Sequence, residues 1–226
     1  MDKVQGMTFW DYAQLVMLSV FFSTLIQRTL RVRIRRGTNP FKLKFWENRL
    51  LGLLELSLFF AVSVWAVEVM FYSIPTKFHI FPWPLDLQLF NSTFTKLSGI
   101  ILRVLAFWLF FLGLKNLGDS WQFGIDEQQV GVLVTDGIYR YSRNPIYLFF
   151  NFWFLGTFLI NGTVVFLCFA LFTIGNLHLQ ILKEERFLRK VHGLEFVEYC
   201  KRTPRYFSCK VLAERWKGKP RFSTEY

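Results

Sequence analysis

Five apolar stretches organise the chain: Met7–Ile26, Leu50–Tyr72, Leu97–Leu114, Ile146–Ile160 and Thr163–Leu182. Crossing about 30 Å of hydrocarbon takes about 20 helical residues at 1.5 Å each. The fourth stretch is short for that task and needs tilt, local thinning or help from its flanks. An open strand cannot satisfy its backbone in lipid, so each stretch is expected to be a helix. Only Asn161-Gly162 separates the last two stretches, which predicts a tight antiparallel hairpin. The pattern therefore predicts an all-α integral membrane protein of about five transmembrane helices.

Composition agrees with that reading, and charge gives it a direction. The 226 residues are 53% hydrophobic and include 28 Phe, more than a soluble core of this size could hide. Three cysteines are too few for a disulfide scaffold, and Cys168 falls inside a span. The formal net charge is nonetheless +11. Those cations are segregated. The connection Arg28–Arg49, the connection Lys115–Arg143 and the segment from Lys183 onward hold 23 of the 27 Lys and Arg. With five spans all three lie on one side, which the positive-inside rule makes cytoplasmic, with the N-terminus outside. The basic segments flank helices and suit anionic headgroups, so the bilayer is the expected partner and nucleic acid is not. Met1–Gly6 lacks the basic start of a secretory signal, so the first span is expected to be retained. Asn91-Ser92-Thr93 forms a glycosylation sequon on the expected outer side.

An ionisable group at bilayer depth costs about 2.5–3.5 kcal/mol and so needs a partner or a task. Glu55 and Glu68 fall in the second span and Arg103 in the third. Pairing between helices, Arg103 with one of the glutamates, or snorkelling near the ends is the expected outcome. The last span changes character along its length. Val164–Phe172 is apolar, whereas Thr173, Asn176, Gln180 and Glu184 fall along one stripe at 100° per residue. A stripe that deepens toward the cytoplasmic end predicts a helix lining a wet cavity, with Asn176 and Gln180 on the side of a substrate. His178 points away from the stripe and is expected to pack.

Ahead of the fourth span, Trp121–Tyr147 is dense in turn formers, aromatics and hydrogen-bonding groups. Asp136-Gly137 signals a turn, and Asn144-Pro145 opens the following helix. Arg143 can meet a carboxylate as a planar fork, and Tyr139 and Tyr147 offer faces and hydroxyls. With one or two Glu from the fifth helix, the expected pocket could hold a polar zwitterion with an aromatic part. No ligand cluster of the zinc or iron type is evident, and no metal is expected.

The string LVTDGIYRYSRNPIY (Leu133–Tyr147), followed by EERFLRKVHGLEFVEYCKRTPRYF (Glu184–Phe207), resembles the integral-membrane methyltransferases of the isoprenylcysteine carboxyl methyltransferase and phospholipid methyltransferase superfamily. The similarity covers roughly Leu117–Phe207. It implies a helical membrane enzyme that binds S-adenosylmethionine in a cytoplasmic pocket. The loop before the fourth helix, the end of the fifth and the C-terminal segment would form that pocket, and a lipophilic substrate would enter sideways from the bilayer. By position, Gly131, Val132, Leu133 and Val134, with Tyr139, would line the cofactor site. Asn144, Pro145, Ile146 and Tyr147 match the tetrapeptide that contacts the cofactor, and Glu184 would hold its amino group. Glu184 and Arg143 are the expected catalytic pair, with Arg143 orienting a cofactor or substrate carboxylate. Glu185 would support Glu184 or pair with a basic neighbour.

This chain departs from the prenylcysteine methylases at two positions. Asn144 stands where they usually have His, and Gln180 where they have Arg, so the methyl acceptor stays open between a prenylcysteine carboxylate, a lipid amine and another small lipophile. An NADPH-dependent sterol-type reductase, with a similar Arg-x-Pro-x-Tyr turn, and a non-catalytic lipid-binding protein are the alternatives. The expected organisation is residues 1–96 as N-terminal helices and connections, 97–207 as the methyltransferase core, and 208–226 as a basic interfacial tail.

Overall fold

The computed structural model describes residues 6–36, 49–75, 80–81, 83–118 and 132–207. Five helices account for most of them: α1 (Phe9–Arg36), α2 (Arg49–Ser73), α3 (Thr93–Leu117), α4 (Pro145–Asn161) and α5 (Val164–Arg202). A 3-10 turn at Gly137–Arg140 precedes α4. The pairing of Gln88 with Thr163 is an isolated bridge and not a strand. α1, α2, α3 and α5 are long and apolar enough to cross a membrane, whereas α4, with 17 residues, is apolar but shorter.

Local chemistry fixes the helix ends. The Asp11 carboxylate accepts from the Thr8 amide and hydroxyl at 2.8 and 2.7 Å at the start of α1. Ser92 caps α3 by accepting from the Phe94 amide. Pro145 occupies the first turn of α4, where its missing N–H costs nothing. α1 and α5 outrun their apolar stretches. α1 continues to Arg36, and on that extension Arg28 donates to the carbonyls of Leu114 and Gly118, capping the end of α3. The 39 residues of α5 reach about 58 Å, nearly twice the hydrocarbon thickness. The part beyond Leu182 therefore projects out of the membrane, and it kinks at Gly193 (φ 54°, ψ −123°).

α4 runs antiparallel to α3, from Ile146 beside Gly113 to Ile160 beside Gly99. The two backbones nearly touch. A Cβ on Gly99 would lie 2.6 Å from the Gly156 carbonyl oxygen, and one on Gly156 would lie 2.5 Å from Cγ of Arg103. This close approach is what glycine permits in packed membrane helices. Around the crossing, Phe21 of α1, Phe110 of α3, and Phe149 and Trp153 of α4 form a buried aromatic core, with Phe110 and Phe149 stacked at 4.4 Å.

The intramembrane charges differ from the sequence expectation. Arg103 is fully buried and pairs with neither glutamate. Its guanidinium lies 4.1 Å over the Trp153 ring, and its nitrogens have no hydrogen-bond partner among the described residues. A cation over an indole face is favourable electrostatically. Glu68 instead accepts from the Ile80 amide at 3.1 Å.

The α4–α5 hairpin is as tight as predicted, with Gly162 in the left-handed region. Its tip is held by the segment ahead of α3, through Leu89 N–H to the Gly162 carbonyl (2.7 Å) and Val164 N–H to Leu87 (3.1 Å). Asn161 also exchanges two side-chain hydrogen bonds with Gln14 of α1. The opposite end, where α3 stops, α4 begins and α5 emerges, is where the sequence-selected residues gather.

Candidate active site at the junction of α4 and α5

The approach to α4 is built around one turn. At Gly137 φ is +61°, and a Cβ there would lie 1.9 Å from the Asn116 side chain, so this turn demands glycine. Asn116 accepts from the Ile138 amide, pinning the turn to the end of α3. Tyr139 faces inward and is buried, and burial holds its hydroxyl well above the usual phenol range. Its carbonyl accepts a 2.6 Å hydrogen bond from the hydroxyl of Tyr199, beyond the α5 kink.

The same C-terminal stretch clasps the loop at several further points. Arg143 N–H donates to the Pro204 carbonyl at 3.0 Å. The Asn144 amide group and the Ser142 hydroxyl both donate to the Arg205 carbonyl, and Thr203 donates to the Arg140 carbonyl. At the centre, the Arg143 guanidinium donates to Glu185 at 2.8 Å and to the carbonyls of Cys200 and Thr203. Arg205 meets the same carboxylate as a fork, with its shortest contact at 2.7 Å. Burial pushes the Glu185 carboxyl up, but Arg205 and Arg143 outweigh it and hold the group below its ordinary value. The Arg205 guanidinium is raised in turn, chiefly by its hydrogen bonds to Glu185.

Glu184 points elsewhere. One residue along a helix is a rotation of 100°, which turns Glu184 toward α4 while Glu185 faces the clasp. There the Tyr147 hydroxyl donates to Glu184 at 2.8 Å. Burial raises the Glu184 carboxyl above its ordinary range; the Tyr147 hydrogen bond opposes that shift and the neighbouring Glu185 charge adds to it. Farther down α5, Gln180 donates to Asn176 at 2.8 Å, and Asn176 donates to the Ser57 hydroxyl (3.1 Å) and the Leu54 carbonyl of α2. The polar stripe thus lies between α2 and α5. His178 lies outside it and contacts the Tyr206 hydroxyl at 2.8 Å.

The structure brings together Tyr147 with Glu184, Arg143 with Glu185, and Asn176 with Gln180. Pro145 is buried at the head of α4, and Ile146 packs toward Gly113 of α3. Val132–Val134 is an irregular approach segment, with Val132 highly exposed and Leu133 and Val134 partly covered. Gly131 and the basic tail 208–226 lie outside the described residues.

Residues 94–195 match the family model for phospholipid methyltransferase, a segment that holds α3, the turn, α4 and most of α5. Three curated relatives share sequence with the chain. A protein-S-isoprenylcysteine O-methyltransferase of Schizosaccharomyces pombe is 39% identical over 74 residues, covering 32% of this chain and 31% of the relative. One of Saccharomyces cerevisiae is 29% identical over 121 residues, 50% of this chain and 51% of the relative. Protein-S-isoprenylcysteine O-methyltransferase B of Arabidopsis thaliana is 33% identical over 73 residues, covering 32% and 37%. Over these stretches the chain is similar to phospholipid methyltransferase and to protein-S-isoprenylcysteine O-methyltransferases. The matches span about half or less of the curated relatives' own length.

Glu185, expected to support Glu184 or pair with a basic neighbour, pairs with Arg143 and Arg205, but sequence reasoning missed which residues beyond the α5 kink form the clasp. Arg205, Thr203 and Tyr199 were not singled out, although Arg205 supplies half of the charge that Glu185 meets. The adjacent carboxylates at 184 and 185 were the available signal, because neighbouring helix positions face different partners.

Proposed function

We propose that this chain is an S-adenosylmethionine-dependent methyltransferase acting on a lipophilic acceptor at the cytoplasmic face of a membrane. The single observation behind this reading is the half-buried Tyr147–Glu184 pair, inside the family-matched segment, lying beside the Arg143–Glu185–Arg205 clasp. α4 serves as the fifth crossing alongside α3, with the N-terminus outside and the core formed by residues 97–207.

When bound, S-adenosylmethionine supplies a methyl group activated on a sulfonium. The donor set suits that cofactor. Glu184 is a half-buried carboxylate that accepts one neutral hydrogen bond and keeps capacity for an ammonium. Tyr147 orients it. Tyr139, with Leu133 and Val134, lines the remainder, and Asn144, Pro145 and Ile146 set the turn from which Tyr147 projects. Arg143 acts as a positioning residue, tying that turn through Glu185 to the C-terminal stretch and closing the pocket to water. Gln180 borders the route by which the acceptor arrives from the bilayer, while Asn176 ties that part of α5 to α2. The protein's contribution is orientation and exclusion of water, the main means of accelerating a displacement whose leaving group is already built in.

The experiment is transfer of a labelled methyl group from S-adenosylmethionine to a total lipid extract by the purified chain. Label in the organic phase with the unaltered chain, and none with Glu184→Gln, is expected. A chain that binds the cofactor but labels no extracted lipid would defeat the assignment.

A further inference from the structure

At bilayer depth the core gathers hydrogen-bond donors without matching acceptors. Arg103 of α3 is fully enclosed, and its Nε, Nη1 and Nη2 all lack a hydrogen-bond partner among the described residues. Trp153 of α4 meets the guanidinium with its ring face at 4.1 Å. A ring face attracts the charge, yet the guanidinium N–H groups still call for an acceptor. On its other side the Arg103 stem packs against Gly156, where a Cβ would lie 2.5 Å from Cγ and 3.3 Å from Cδ. Helix and ring therefore fix the guanidinium in place. The indole N–H groups of Trp153 and Trp65 and the Thr173 hydroxyl are also buried and unpaired. Counted along their helices, Trp65, Arg103, Trp153 and Thr173 all lie about 12–15 Å from the hairpin end. Trp65 packs against Phe154 at 4.7 Å, and both Trp65 and Trp153 belong to one buried core.

We infer that Arg103 holds one small inorganic anion, of halide size, in this donor-rich layer of the membrane core. The site is separate from the Tyr147–Glu184 pair and does not depend on the methyltransferase reading. Donor chemistry selects the ligand class. Arg and Trp side chains only donate. Water could accept from them but must donate two hydrogens in turn, and this layer gives it few acceptors. An anion only accepts. Charge points the same way, because a guanidinium at bilayer depth is costly until a negative charge stands beside it. Among the described residues no carboxylate does so, since Arg103 forms no hydrogen bond and Glu68 reaches the Ile80 amide. Arg103 has no exposed surface, so a headgroup still attached to its lipid does not reach it, which leaves a small free ion. Bound there, the ion ties α3 to α4 at their glycine crossing and adds to stability, not to group transfer.

The test uses the full chain purified in detergent with gluconate as the only anion, then titrated with sodium chloride or bromide at constant ionic strength. Tm is expected to rise and saturate logarithmically with halide, by about 5–10 °C at a hundredfold excess over the dissociation constant. After free bromide is removed, denaturation should release bromide in equal number to the chains. Arg103→Gln should release none and show a Tm indifferent to the anion, whereas Arg103→Lys keeps the charge and should retain bromide with weaker affinity. The unaltered chain decides the matter even where Arg103→Gln does not fold. A Tm that follows ionic strength whatever the anion, or no bromide released on denaturation, would overturn the site. Undiminished bromide release from a folded Arg103→Gln chain would overturn its assignment to Arg103.

Discussion

Glu184 faces two opposing demands. To hold an ammonium it must be ionised, yet burial raises its carboxyl above the ordinary value of 4.5, against the Tyr147 hydrogen bond and together with the Glu185 charge. Protonation therefore competes with cofactor binding at a higher pH than for an exposed glutamate. The affinity for S-adenosylmethionine should be flat near neutrality and fall as pH drops through that raised value. Tyr147→Phe removes a bond to the ionised form, which is worth about 1.5–3 kcal/mol, so affinity should fall roughly tenfold or more and the midpoint should move further up. Titrations at a series of pH values measure both effects. A midpoint at or below 4.5 in the unaltered chain would contradict the buried-carboxylate account. Arg103 teaches a related lesson at bilayer depth, where the charge is met by the face of Trp153 and not by a carboxylate.

At the scale of elements, the kinked end of α5 is held by charge and α3 against α4 by the absence of side chains. Glu185 has a depressed folded value, so its contribution to the clasp is present above the ordinary 4.5 and lost as pH falls through the lower folded value. Acid should therefore open residues 194–207 to protease before the membrane helices unfold. Glu185→Gln should do so at neutral pH, since stranding a partner of a buried ion pair costs about 3–5 kcal/mol. Equal protection of that stretch in the variant would contradict the clasp. Gly156→Ala should separate α3 from α4 and cost about 1–3 kcal/mol, read as a lower Tm in detergent, because the added carbon would meet the Arg103 stem and the Gly99 carbonyl.

Sequence pattern located these elements unevenly. Hydropathy marks where a helix is in lipid, so the apolar parts of all five helices were legible, from Met7–Ile26 to Thr163–Leu182. It says nothing of where a helix ends in water, which is why the continuation of α5 to Arg202 was hidden. Asp136-Gly137 and Asn144-Pro145 announced the turn, because their backbone needs are local. The choice of Arg143 between Glu184 and Glu185 was not legible, since it depends on the rotation of α5 and on Arg205 returning past the kink.

For the molecule as a whole, the conflict between a greasy composition and a charge of +11 resolves into two ends with different tasks. The hairpin end is sealed by backbone pairing and the Gln14–Asn161 exchange. The other end gathers Tyr139, Tyr147, Glu184 and the clasp, with cations serving as caps and ties: Arg28 on α3, Arg143 and Arg205 on Glu185. A pocket for a cationic, zwitterionic cofactor at that end is the central claim. Calorimetric titration of the purified chain with S-adenosylmethionine, repeated on Glu184→Gln, tests it most directly. Micromolar binding that disappears in the variant is the predicted result; unchanged binding in Glu184→Gln would contradict it.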